Sequence, residues 1–236
     1  MLLPTMNQTE IILQVKRDYE KIDNTTRIRL GSEYDRERRK LKIDKRRTYS
    51  KVYTIKTNAK NNWIIVLSKS PSHEFYTGPD NSLIWCAVTY FYDQTGLKVL
   101  KWRDPYLQVY SAHFFQRFNQ RLKLKLNNPS EIIKRYFVEN VHIGYHYQVK
   151  NGIAYFIGFT KEGLQLGTLQ EGDVVLWRTF VSADLVRADQ HAMKDQLISR
   201  LYAEWIKAVK EHKSNAASAK KTWDQLEILQ GNYNPL

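Results

Sequence analysis

The sequence lacks most of the features that announce a chemistry outright. It has one cysteine in 236 residues, Cys86, which excludes an intramolecular disulfide framework and a multi-cysteine zinc site. Cys86 lies in an apolar run and reads as core rather than as a nucleophile. No apolar stretch approaches the roughly eighteen residues of a membrane span. The opening MLLPTMNQTE has no basic start and no sustained apolar segment, so it does not read as a signal peptide. A soluble, cytoplasmic protein with no membrane partner is the expectation. There is no GxxxxGK phosphate loop, no GxGxxG and no internal repeat. His142 and His146 are four apart, but Gly144 sits between them and the flanking tyrosines read as strand. No metal and no cofactor are therefore expected.

What the chain does have is positive charge. Lys and Arg number 37 against 24 Asp and Glu, leaving +13. Residues 16–56 hold fifteen bases and seven acids, residues 101–135 hold eight and two, and the rest is close to neutral. Two concentrated basic segments fit a polyanion, because neutralising phosphates releases counterions and drives binding. A solvated basic surface with no dedicated ligand is the alternative. The 42% hydrophobic and 13% aromatic content implies a folded chain, long enough for one large domain or two small ones.

Periodicity divides the chain. Ile11, Ile12, Val15, Tyr19 and Ile22 share one face of a helix over residues 8–23, and Asn24-Thr25-Thr26 is expected to interrupt it. Residues 33–47 are good helix formers with few apolar anchors, so residues 1–47 read as a basic helical arm. Its candidate nucleic-acid-binding side chains are Arg36, Arg38, Arg39, Lys40, Arg46 and Arg47. A core domain over 48–212 follows. Strands are expected over 49–57, 63–67, 83–92 and 97–103, with a loop at 68–82 and a hairpin at Asp93–Gly96. Helices are expected over about 110–123 and from Asn128-Pro129-Ser130-Glu131, where Asn128 caps and Pro129 suits the first turn. The second buries Ile132, Ile133, Tyr136 and Phe137. A meander follows, with Asn151-Gly152 as its hairpin signal and Gly158, Gly163 and Gly167 as turn or close-packing residues. Ser182 or Asp184 then caps a long C-terminal helix to about His212, with Leu197, Ile198, Leu201, Tyr202, Trp205 and Val209 as its apolar stripe. Residues 213–236 are linker and tail. The fold class is α+β: an antiparallel, twisted sheet of about seven strands with helices on one face.

Two clusters carry candidate chemistry. In Tyr110–Leu122, Phe114, Phe118 and Leu122 recur every fourth residue, with Phe115 beside them, and form a buried stripe. His113, Arg117 and Arg121 recur one position earlier and form an adjacent stripe. Arginines grip phosphate with paired donors, and an imidazole exchanges a proton near neutrality. The plain alternative is the solvated flank of an amphipathic helix. In Trp177–Ser182, strict alternation puts Thr179 and Val181 on one face with Trp177, and Arg178 and Phe180 on the other. His146 on the first meander strand lines a groove or is an ordinary strand histidine. Most of the strand tyrosines, Tyr90, Tyr92, Tyr145, Tyr147 and Tyr155, read as core or cross-strand pairs, with one or two left to stack on bases.

The helix with its His and spaced Args, then Asn128-Pro129-Ser130-Glu131, then strands ending in Arg178-Thr179-Phe180, resembles the metal-independent ribonuclease superfamily of RelE-type toxins and barnase-like and colicin-type nucleases. The resemblance covers residues 107–182. It implies that His113 moves the proton of a ribose 2′-OH or of the leaving oxygen. Arg117, Arg121 and Arg178 would steady the charge on phosphorus, and Thr179 would orient a phosphate oxygen. Thr160, Thr168 and Ser182 compete with Thr179 for that role. The expectation is a nucleic-acid-directed protein, RNA before DNA, with a toxin-like metal-independent ribonuclease as its sharpest form. The alternative is a non-catalytic nucleic-acid-binding or scaffold protein, for example a mobile-element accessory factor. A third reading is a basic interaction domain for an acidic protein partner. A catalytic groove predicts a partly buried His113 among arginines. A binding protein predicts an exposed His113, with arm and sheet forming one basic face.

Overall fold

A computed structural model describes residues 1–43, 49–69, 84–103, 105–140 and 144–186. The fold is α+β, built on one open, mostly antiparallel sheet of nine strands. A helix α1 (Gln8–Ile43) leads into a five-strand meander: β1 (Tyr49–Lys56), β2 (Asn62–Lys69), β3 (Ile84–Asp93), β4 (Gly96–Arg103) and β5 (Tyr106–Ser111). Helices α2 (Ala112–Arg121) and α3 (Pro129–Glu139) follow. A second meander then runs through β6 (Gly144–Lys150), β7 (Ile153–Thr160), β8 (Gly163–Gln170) and β9 (Val174–Ser182). The sheet order is β1-β2-β3-β4-β5-β9-β8-β7-β6. The meanders join through one parallel contact, β5 with β9, from Leu107 opposite Val174 to Tyr110 opposite Trp177. Among the described residues no helix is long and apolar enough to cross a membrane.

Local chemistry explains most boundaries. Asn151 and Gly152 both take positive φ, which matches the right-handed twist of the β6–β7 hairpin. Asn128 caps α3 by accepting from the Ser130 amide, and Pro129 fills the first turn. The unexpected strand is β5. It is six residues long and abuts α2 without a turn, so the helical pattern of Tyr110–Leu122 conceals its end.

Two expectations need correction. Helices cover both faces of the sheet, not one. Phe114, Phe115 and Phe118 of α2 and Ile133, Tyr136 and Phe137 of α3 pack with Tyr110, Trp177 and Phe180 on one face. Val15 and Ile22 of α1 pack with Trp63, Ile65, Leu100 and Leu107 on the other. Nor does α1 break at Asn24-Thr25-Thr26. These residues are only mild helix formers, with no Pro or Gly among them, and tertiary anchors hold the helix on both sides. Asp18, 2% exposed, accepts from Asn61 Nδ2 (2.7 Å), Thr57 Oγ1 (3.0 Å) and Trp63 Nε1 (3.3 Å). Glu33 accepts from Lys51 Nζ (2.7 Å), Tyr49 OH (2.9 Å) and Tyr53 OH. The segment expected to be an arm is docked along the sheet as far as Glu33. The long C-terminal helix, the linker and the tail lie outside the described residues, which end in a 3-10 turn (Ala183–Leu185) and Val186.

Candidate nucleic-acid interface

The centre of the site is α2, and its orientation is fixed by one cap and three aromatic rings. Ser111 Oγ accepts from the Phe114 amide and donates to the Arg178 carbonyl (both 3.3 Å), which ties the start of the helix to β9. Phe114, Phe115 and Phe118 are buried against Tyr136 and Phe180. His113, Gln116 and Gln120 are exposed on the outer side, and Arg117 and Arg121 lie half-buried beside them. Arg117 Nε donates to His113 Nε2 at 3.3 Å, and its Nη1 donates to Gln120 Oε1 at 3.1 Å. Arg121 Nη1 donates to the Phe180 carbonyl. Arg121 thus braces α2 on β9.

Past α2 the chain runs Leu122-Lys123-Leu124-Lys125-Leu126. The three leucines pack into the core and the two lysines are left exposed, each at positive φ. They extend the cationic line beyond the helix. Between Pro105 and Ser130 the sequence has no Asp or Glu. Lys123 and Lys125 belong to the second basic segment, but helical periodicity does not single them out; the Leu-Lys alternation was the readable signal.

The β9 end of the site departs from simple alternation. Thr179 pairs with Leu166 and Trp177 pairs with Gly167, so Arg178 is one residue extra in the strand. This bulge reverses which residues face the helices. Trp177 and Phe180 both lie in the core beneath α2 and α3, whereas Val181 packs with Phe159 and Leu164 on the opposite face. Thr179, two residues before Val181, shares that opposite face. The sheet separates it from His113. Arg178 is exposed and next to the start of α2 through its carbonyl. His146 pairs with Ile157 on β6, and β7 and β8 lie between β6 and β9, about 14 Å of sheet. The site therefore gathers His113, Arg117 and Arg121 on α2, with the Arg178 backbone at the helix start, and leaves Thr179 and His146 apart.

The cations of α1 differ in environment. Arg36 lies 3.3 Å from Glu37 and 3.8 Å from Glu33, and Lys40 lies 2.8 Å from Glu37. Arg39 Nε donates to the Asp35 carbonyl at 3.3 Å. The Arg38 side chain and all of Arg46 and Arg47 lie outside the described residues. The hydrogen bond from Lys51, followed by that from Tyr53, pulls the Glu33 carboxyl down to about 2. Burial, reinforced by Glu33, pushes Tyr53 up to about 12 and raises Tyr49 too. Thus Arg36 and Lys40 of α1 are paired with acids of the same helix, whereas Arg117, Lys123, Lys125 and Arg178 make no ion pair among the described residues. Among the described residues α1 and α2 lie on opposite faces of the sheet, so the single basic face of arm and sheet expected of a binding protein is not formed, although His113 is exposed as that reading expects.

Lys101, one of the eight bases counted in residues 101–135, is not a surface charge. It is 7% exposed, beneath α3, with its ammonium 5.9 Å from the Phe137 ring centre. Burial holds its pKa below the usual lysine range. Among the described residues no group of three or more His, Cys, Asp or Glu is placed to hold a metal ion. No protein-family model matches this chain, and no curated protein or solved structure matches it.

Proposed function

We propose that this protein binds nucleic acid, RNA in preference to DNA, through the outer surface of α2, the Lys123–Lys125 loop and Arg178. The observation that carries this reading is the contrast between the two basic segments. Arg117, Lys123, Lys125 and Arg178 make no ion pair among the described residues, on an acid-free stretch and its neighbour, while Arg36 and Lys40 of α1 lie against Glu33 and Glu37. Unpaired guanidinium and ammonium groups on a rigid helix and its flanking loop are the groups that phosphate oxygens satisfy. Tyr92 adds a stacking surface. It is 53% exposed on β3, two residues beyond Tyr90, which packs on the α2 and α3 side. Its cross-strand partner Leu97 adjoins Gly96, whose missing Cβ would lie 3.6 Å from Ala112. An aromatic ring beside a cationic line suits a single strand, whose bases are free to stack.

Binding without cleavage is the form we favour. His113 is exposed, its Nε2 is occupied by the Arg117 donor, Arg121 is committed to the Phe180 carbonyl, and Thr179 lies across the sheet. The ribonuclease reading retains one supporting observation, the His113–Arg117 contact, which pairs an imidazole with a phosphate-binding group. Gel retardation of an end-labelled single-stranded RNA in EDTA, at stepped salt, tests both. The variant with Arg117, Lys123, Lys125 and Arg178 all changed to Gln is expected to bind more weakly. Its log–log salt slope should be shallower by about 3, since each lost phosphate contact removes about 0.7. An unchanged slope and affinity overturns the reading. Cleavage by the wild type that His113→Ala abolishes would put the ribonuclease in its place.

A further inference from the structure

We infer that Asn119 is the positioning residue of a phosphate-gripping loop, Leu122–Leu126, which holds Lys123 and Lys125 in place before nucleic acid arrives. This rests on the nucleic-acid reading above and adds to it the residue that shapes one end of the site. The backbone gives the first sign. Lys123 and Lys125 have φ of 52° and 57°, in the left-handed region. A Cβ there crowds the following carbonyl, so glycine or asparagine is the ordinary occupant. One such residue, at Lys123, closes α2. The second, at Lys125, has no helix end to close. Strain of this kind persists only where the surroundings over-determine the backbone.

Here they do. Leu122, Leu124 and Leu126 pack on the core at alternate positions. The amides of Leu122, Lys123 and Leu124 return to the carbonyls of Phe118 (3.1 Å), Gln120 (3.2 Å) and Asn119 (3.0 Å). The Asn119 side chain completes the frame. Its Nδ2 donates to the Leu126 carbonyl at 2.8 Å, and its Oδ1 accepts from the Leu126 amide at 3.2 Å. One side chain thus pairs with both backbone groups of the residue that ends the loop, as an antiparallel strand would. Gln120 ties the loop to the cation before it. Its side chain accepts from Arg117 Nη1 at 3.1 Å, and its carbonyl accepts from the Lys123 amide. Arg117, Lys123 and Lys125 therefore follow one another on a fixed frame. Phosphate contacts set register on a regular backbone, which fixed cations suit, and the ordering cost then falls on folding and not on binding.

The test is a double-mutant cycle on the full chain, read by retardation of single-stranded RNA at stepped salt. Changing Lys123 and Lys125 together to Gln should weaken binding and make the log–log salt slope shallower by about 1.4. Asn119→Ala alone should weaken binding about two- to tenfold, through the restored freedom of the loop and its side chains. Its slope should stay at the wild-type value, because both lysines still reach phosphate. Added to the two Gln changes, Asn119→Ala should weaken binding no further. An Asn119 that merely supports α2 would cost the same affinity in both backgrounds, and that result overturns the inference. So does wild-type affinity in Asn119→Ala. If instead the two Gln changes leave affinity and slope untouched, the loop makes no phosphate contact, and the reading beneath the inference fails with it. Thermal melting confirms that each variant is folded; should Asn119→Ala not fold, Asn119→Ser, too short to pair with both Leu126 groups, takes its place in the cycle.

Discussion

Asp18→Ala separates a docked roof from a free arm. The Asp18 carboxylate is 2% exposed and serves Asn61, Thr57 and Trp63 of the first meander, together with Gln14 at 3.0 Å on its own helix. Alanine removes the acceptor and leaves three donors facing apolar surroundings. Hydrogen bonds to a charged acceptor contribute about 1.5–3 kcal/mol each, and each orphaned buried donor costs about 1–3. These contributions are not additive, because the donors share one acceptor. Part of the site also relaxes. A loss of roughly 3–5 kcal/mol is expected, a large share of the about 5–15 kcal/mol that holds a typical domain folded. Urea denaturation should show a midpoint lower by about 1–2 M, for a slope of about 2–3 kcal/mol per M. Gln14→Ala removes one half-exposed partner and should cost less than about 1 kcal/mol. Loss of under about 1 kcal/mol in Asp18→Ala would refute the docking of α1. RNA retardation by the folded variant should be unchanged, since α1 and α2 lie on opposite faces.

Two further changes test the electrostatics. Glu33 has a carboxyl pKa lowered from about 4.5 to about 2 by Lys51 and Tyr53, so its share of stability is present above pH 4.5 and disappears as pH falls toward 2. The wild type should lose stability in that window, and Glu33→Gln should be less stable at pH 7 with a flatter acid profile; parallel profiles would contradict this. Lys101→Met should stabilise the protein by roughly 1–3 kcal/mol at pH 7, because methionine fills the space without burying an ammonium. Since burial lowers the folded pKa of Lys101, the gain should fade as pH rises toward about 10.4, the value for an unfolded lysine. A destabilised Lys101→Met at pH 7, by chemical denaturation, would mean that the ammonium has a partner.

Short-range patterns made much of this protein legible. The Asn128-Pro129 start of α3, the Asn151-Gly152 hairpin and the aromatic face of α2 depend on neighbours within four residues, where backbone preference and side-chain period act together. Charge counting located two basic segments for the same reason: it needs no geometry. What counting misses is pairing. Only the folded chain places Glu33 and Glu37 against Arg36, Lys40 and Lys51, and leaves Arg117, Lys123, Lys125 and Arg178 without an ion pair among the described residues. The parallel β5–β9 contact was equally hidden, since it joins residues some seventy positions apart and strand period carries no partner identity. The bulge at Arg178 shows the limit most plainly. Period-two alternation in Trp177–Ser182 puts Thr179 with Trp177, and one residue inserted against β8 reverses that assignment for everything after it. The sequence by itself marked most of the described strands and helices, though not β5 or the continuity of α1, and where positive charge is dense. The packing of Trp177 and Phe180 under the same helices decided where the strand had to bulge, and so which side chains share a face with His113.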